Sequence, residues 1–169
     1  MTLEYTSGML EMAHEILAAG AKPYTDEQLK EIPRIINTKS RYFLAVDLND
    51  YEILRDVFTD AGENGFTATW NGRPGAQSIE AQIASSKATT DKSAMVPLHF
   101  AHNQIVRFID DTHAQLLTRM HDYHTYKDNG DTYSGYGFYV DDMLKCEDGV
   151  WRISALRLDY GVLLGSLRR

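Results

Sequence analysis

The hydrophobic pattern changes its period once along the chain. Roughly the first half repeats at helical spacing, and the second half alternates in long stretches. Thr6 or Ser7 is a capping residue, and Met9, Met12, Ala13, Ile16 and Leu17 fall on one face. This predicts a helix to about Ala19, with Gly20 as its stop. Thr25-Asp26-Glu27-Gln28 has the form of a capping box and predicts a short second helix, which Pro33 kinks or restarts. Arg34–Leu48 then reads as a longer helix with Ile35, Ile36, Tyr42, Phe43 and Val46 as its apolar positions. Asn49 or Asp50 caps another short helix that points Leu54, Val57 and Phe58 inward.

Phe66–Trp70 alternates as a first strand, followed by the turn-rich Asn71–Gly75. Ser78–Lys87 predicts an amphipathic helix with Ile79 and Ile83 inward, and Ala88–Ser93 a polar linker. Val96–Ile109, Thr112–Lys127, Thr132–Cys146 and Val150–Tyr160 read as four strands. Asp110-Asp111, Asn129-Gly130 and Asp148-Gly149 join them as tight turns, so they form an antiparallel meander. Helices followed by a curved meander predict an α+β cone or barrel in which helices cover one face of the sheet. A bent sheet wrapped over a long helix leaves room for a pocket between them.

The chain has 169 residues, enough for one core and one domain. Its 43% hydrophobic and 24% charged residues are ordinary for a folded soluble protein. The net charge of −7, without a basic cluster, argues against nucleic acid as a partner. Apolar runs are too short to span a membrane, and the first residues carry Glu4, Glu11 and Glu15, unlike a signal peptide. Cys146 is the single cysteine, which leaves no intrachain disulfide and makes the cytoplasm the expected location.

Four of the six histidines form His99-Phe100-Ala101-His102 and His121-Asp122-Tyr123-His124. As text these are metal-ligand spacings. On strands, however, residues three apart point to opposite faces, so each pair aims one imidazole at a common site. Two inward histidines and a carboxylate still make a possible ligand set, but no metal and no cofactor is the expectation. Parity places Asp122 and His124 on one face with Leu116, Thr118 and Met120, and His99 with Ala101, Asn103 and Ile105. Asp47 ends an apolar helical stretch. It is either a solvated helix-end carboxylate or an acid at the mouth of a pocket. In the second case it would orient an imidazole and build a His–Asp dyad for general acid/base work. Tyr123, Tyr126, Tyr133, Tyr136 and Tyr139 are dense enough to suit a sheet, and one or two could line a pocket as donors.

The helix "SRYFLAVDLNDYEILRDVF", the strand opening "PLHFAHNQIV" and the ending "YVDDMLKCEDGVWRISALRLDY" together resemble the SnoaL-like branch of the nuclear-transport-factor-2-like (NTF2-like) superfamily. The resemblance covers roughly residues 34 to 160, and within that branch the chain is similar to the scytalone and bile-acid 7α-dehydratase groups. It implies an NTF2-like cone, a curved mostly antiparallel sheet over about three helices. The chain then reads as a single domain over 1–169, with 1–33 a helical N-terminal extension that either caps the pocket or packs on a neighbouring subunit. By resemblance, Asp47 matches the helix aspartate, His99 the first-strand histidine and His124 the second histidine. Asp122 matches a second aspartate, and Tyr42 a tyrosine of the bile-acid group. These five are the candidate catalytic residues. Val46, Val140 and Phe66 stand where the scytalone group has polar side chains, which argues against scytalone as substrate.

The resemblance implies a cofactor-independent dehydratase-like lyase. Its substrate would be a small hydrophobic molecule carrying a hydroxyl and an activating carbonyl or phenol. An isomerase, a cyclase or a non-catalytic binding protein of the same fold are the alternatives. It also implies a homo-oligomer, a trimer or alternatively a dimer.

Overall fold

The computed structural model describes residues 1–92 and 95–165. The elements run α1 Ser7–Gly20, α2 Asp26–Asp47, α3 Tyr51–Asp56, β1 Thr67–Trp70, β2 Arg73–Pro74 and α4 Ile79–Lys87. Four long strands follow: β3 Met95–Phe108, β4 His113–Tyr126, β5 Thr132–Lys145 and β6 Trp151–Gly165. The stretch expected to be a polar linker winds as a π-helical turn over Ala88–Lys92, and Ser93 lies outside the described residues.

The strands form one curved, unclosed sheet in the order β2-β1-β6-β5-β4-β3. The four long strands make the expected antiparallel meander, and β1 joins β6 in parallel. The α+β cone is therefore the fold. Its helices number four among the described residues, and they do not share one face. Side chains of α2, α3 and α4 (Ile35, Tyr42, Phe43, Leu54, Ile79, Ile83) pack with Leu116, Met120, Tyr139, Met143 and Ile153 on the inner face. Met9 and Ile16 of α1 pack on the outer face with Leu117 and Val140.

The N-terminal segment is fastened to β6. The Thr6 amide and hydroxyl both donate to Asp159 Oδ2 at 2.7 Å, and the Leu3 amide donates to the Gly161 carbonyl at 2.8 Å. Residues 1–20 thus cover the back of the chain's own sheet and leave the inner face alone. Leu17, expected inward, is half-exposed, because α1 touches the sheet along a narrow stripe.

Two corrections position the site. First, Pro33 does not interrupt the second helix: α2 runs unbroken from Asp26 to Asp47 behind a complete Thr25–Gln28 capping box. Proline removes the N–H that would reach the Leu29 carbonyl. Here Pro33 is exposed and Leu29 half-exposed, so water can serve that carbonyl. On either side of Pro33 the helix is pinned to β6, by Glu31 accepting from the Trp151 indole at 2.7 Å and Thr38 donating to the Trp151 carbonyl at 2.7 Å. Second, Asn103 takes φ 46° and the β3–β4 register slips between His102 and Ile105. Such a bulge inverts side-chain parity. Ile105, which strict alternation assigns to the His99 face, therefore turns outward and joins the α1 cluster.

Candidate active site

The last turn of α2 carries Asp47 to the edge strand β3. Asp47 Oδ1 lies 2.6 Å from His99 Nδ1, and Oδ2 accepts from the His99 backbone N–H at 2.9 Å. Both side chains are nearly buried, at 13% and 11% exposed. The solvated reading of Asp47 is thereby corrected: one carboxylate grips both the backbone and the ring of a residue 52 positions away. The carboxylate accepts a hydrogen bond from Nδ1–H, which leaves Nε2 as the nitrogen with a free lone pair. Phe43 stacks on the other face of the ring, centroids 5.4 Å apart at 18°.

The antiparallel pairing of β3 with β4 sets His99 opposite Asp122. Parity then brings Asp122 and His124 inward together, as the alternation predicts. His124 meets His99 edge to face at 5.3 Å and lies flat on Tyr133 at 4.4 Å. Asp122 is fully buried. Its Oδ1 accepts from the Gly135 amide at 2.6 Å and its Oδ2 from the Tyr160 hydroxyl at 2.5 Å. Gly135 is what allows this: a Cβ there would lie 2.3 Å from the Tyr160 ring and 2.5 Å from Asp122 Oδ1.

Burial pushes the His124 imidazole down to about 4, against the pull of nearby Asp122. His124 is neutral at pH 7. The unfolded chain binds this proton below about 6.5 and the folded chain only below about 4. Stability therefore falls as the pH drops through that window, by at most about 3 kcal/mol from this group. Melting temperatures measured from pH 7 to 4 should fall less steeply in His124→Phe than in the native protein. Equal slopes would contradict a buried neutral imidazole.

His99, His124 and Tyr42 open onto a cavity of about 230 Å³, lined also by Tyr133, Tyr139, Tyr160, Trp70, Val46, Leu158 and, from α4, Gln82. Asp47 and Asp122 stand behind it, one supporting His99 and one holding Tyr160. Tyr42 is buried with its ring edge to face with that of Tyr139 at 6.1 Å, and burial keeps both phenols protonated. All five candidate residues thus gather at one end of the inner face. Of the tyrosine run, Tyr133 and Tyr139 line the cavity, whereas Tyr123 and Tyr136 face outward and are partly exposed. Val140, matched by resemblance to a pocket position, points into the α1 cluster instead, and Tyr139 occupies the inward place beside it. Sequence reasoning missed Tyr160, Gln82 and the buried Lys39. Inward alternation along β6 could have found the first, and no local signal marks the other two.

His99, Asp122 and His124 offer ligand-type atoms within 4.8 Å of one another. A tetrahedral metal needs lone pairs converging at bonds of about 2.0–2.2 Å. Here each Asp122 oxygen already takes a donor, the Gly135 amide on one and the Tyr160 hydroxyl on the other, so a metal would compete with both for the carboxylate. The arrangement suits proton transfer and oxyanion stabilisation better than metal binding.

The profile of the SnoaL-like domain family matches residues 27–157. No curated protein matches the chain in sequence. Among solved structures, the chain is similar to a protein of Novosphingobium aromaticivorans provisionally named a scytalone dehydratase. The two are 21% identical over 86% of this chain and 94% of that one, with a TM-score of 0.75. It is similar to a hexachlorocyclohexane dehydrochlorinase of Novosphingobium barchaimii, 12% identical over 85% and 94% of the two chains, TM-score 0.71. A ketosteroid isomerase-like protein of Erwinia carotovora matches at 15% identity over 77% and 95%, TM-score 0.61. These similarities establish the fold.

Proposed function

The chain belongs to the SnoaL-like domain family, and from that premise we propose that it is a cofactor-independent, dehydratase-like lyase. The observation that carries the reading is the Asp47–His99 dyad facing an aromatic-lined cavity. The substrate class is a small hydrophobic molecule with a hydroxyl β to an activating carbonyl or phenol carbon. Dehydratase and dehydrochlorinase names among its structural neighbours support elimination chemistry.

In this reading His99 Nε2 removes the proton beside the activating group, and Asp47 stabilises the imidazolium that forms. Tyr42, backed by Tyr139, donates to the oxygen on which negative charge develops. The electrons of the broken C–H bond then form C=C as the C–O bond breaks. The departing hydroxyl takes a proton and leaves as water. His124, neutral at pH 7, is a poor acid for that step. The proton therefore returns from the His99 imidazolium on the same face of the substrate, and His124 positions the leaving group. Asp122 acts through Tyr160 and His124 as a positioning residue.

The test is a panel of β-hydroxy ketones and hydroxylated dihydronaphthalenones incubated in D₂O. Loss of water with a new double bond conjugated to the activating group, and no deuterium gained at carbon, supports the reading. Deuterium exchange without water loss would make the protein an isomerase. Binding without either would make it a binding module. Both outcomes overturn the lyase.

The same proposal includes a homotrimer. Val96, Leu98 and Phe100 of edge strand β3 are each more than two-fifths exposed on the outer face, and Phe100 stacks with His121, which stacks with Tyr136. An exposed apolar patch of this kind suits a protein partner. Among the described residues no helix is long and apolar enough to cross a membrane, and the cytoplasm is the proposed compartment.

A further inference from the structure

The inner face holds a second pair of charges. Lys39 lies one turn before Tyr42 on α2, fully buried, with Nζ 2.8 Å from the Oδ2 of Asp141, which is fully buried on β5. Its ammonium sits over three aromatic rings: 3.3 Å from the Tyr139 centroid, 4.7 Å from Tyr42 and 5.0 Å from Phe43. A buried ion pair contributes little stability relative to apolar side chains of the same volume, so packing alone does not account for it. The surroundings do. Tyr42 and Tyr139 are the adjacent phenols that line the cavity, and Phe43 is the ring that backs His99.

We propose that Lys39 and Asp141 are positioning residues that turn Tyr42 and Tyr139 into a two-phenol donor site for an oxyanion, so that the cavity prefers phenolates and enolates over their neutral forms. A cation on the face of a phenol draws density from the ring and strengthens its O–H as a donor. Asp141 holds the cation there without lining the cavity itself. The rings exclude water, which strengthens any charge interaction inside. Burial lowers the Lys39 ammonium to about 8 and raises the Asp141 carboxyl, and in both cases the attraction of the partner charge opposes the shift. Lys39 faces Asp141 and the two phenols. Asp141 faces Lys39, with Arg157 and Asp142 acting on it from the outer side of β5.

The inference deepens the lyase reading and rests on it for its role in turnover, but the test needs no substrate. 4-Nitrophenol is titrated into the protein across pH, and its absorbance reports how much of the bound form is phenolate. The native protein should bind the phenolate about tenfold more tightly than the phenol, a lowering of one pKa unit on binding. Lys39→Met with Asp141→Leu removes both charges together. It should keep affinity for the neutral phenol and lose the tenfold preference. Tyr139→Phe, which keeps the ring, should lose it too, and covers the case in which the double variant fails to fold. A folded double variant or Tyr139→Phe that retains the preference overturns the proposal, as does a native protein that shows none or does not bind the probe. Phenolate preference without water loss from any substrate defeats the lyase alone. Water loss without the preference defeats this inference alone.

Discussion

Asp47→Asn should lower turnover by about 100- to 10,000-fold, the usual contribution of a positioned acid–base group, and leave the fold standing. The carboxylate uses one oxygen for the His99 ring and one for the His99 backbone. An asparagine has one acceptor and one donor group, so it can serve only one of the two. If the amide NH₂ faces Nδ1, the ring must carry its proton on Nε2, and the lone pair that faces the cavity is lost. If it faces the backbone N–H, two donors meet. The site lies at the partly open end of a helix, so water relieves the mismatch and stability should change by only about 1 kcal/mol. Rates with a compound that loses water in the native protein, and a thermal melt of the variant, check both halves. Full activity in a folded Asp47→Asn protein would remove the dyad from the mechanism.

Asp122→Asn should behave the other way, as a stability defect first. Asp122 is fully buried, with no water to take over its bonds. Its two oxygens serve the Gly135 amide and the Tyr160 hydroxyl, and an asparagine must turn an NH₂ toward one of these donors. A buried charged acceptor lost in this way costs about 2–5 kcal/mol. For a chain of this length that is a fall in melting temperature of roughly 5–15 °C. Gly135→Ala should give a defect of the same kind by forcing Tyr160 and Asp122 apart. A melting temperature unchanged in Asp122→Asn would mean that the carboxyl does not hold Tyr160. The contrast between the two aspartates is informative. Both were picked out by resemblance in the sequence, but Asp47 holds the His99 imidazole at the cavity and Asp122 holds the Tyr160 wall.

Much of this protein was legible locally. The Thr25–Gln28 box, the caps at Thr6 or Ser7 and at Asn49 or Asp50, and the three hairpin turns name their elements because each acts through neighbours a few residues away. The shared face of Asp122 and His124 was legible for the same reason: the side-chain period of a strand is two. The candidate residues themselves were legible through resemblance rather than spacing, since nothing in the order of residues says that Asp47 meets His99.

Tertiary packing decided the rest, because the partners are far apart in the chain. Pro33 stays within a helix because Glu31 and Thr38 are pinned to Trp151, more than a hundred residues on. Ile105 faces outward because one bulge at Asn103 inverts the parity that a pattern reader must assume. Lys39 looks like an ordinary solvated helix lysine until Asp141 and three aromatic rings close over it. Local chemistry determines which helices and strands form. Which carboxylate meets which base is a matter of register and packing between distant segments, and that information exists only once the sheet has wrapped over the helix.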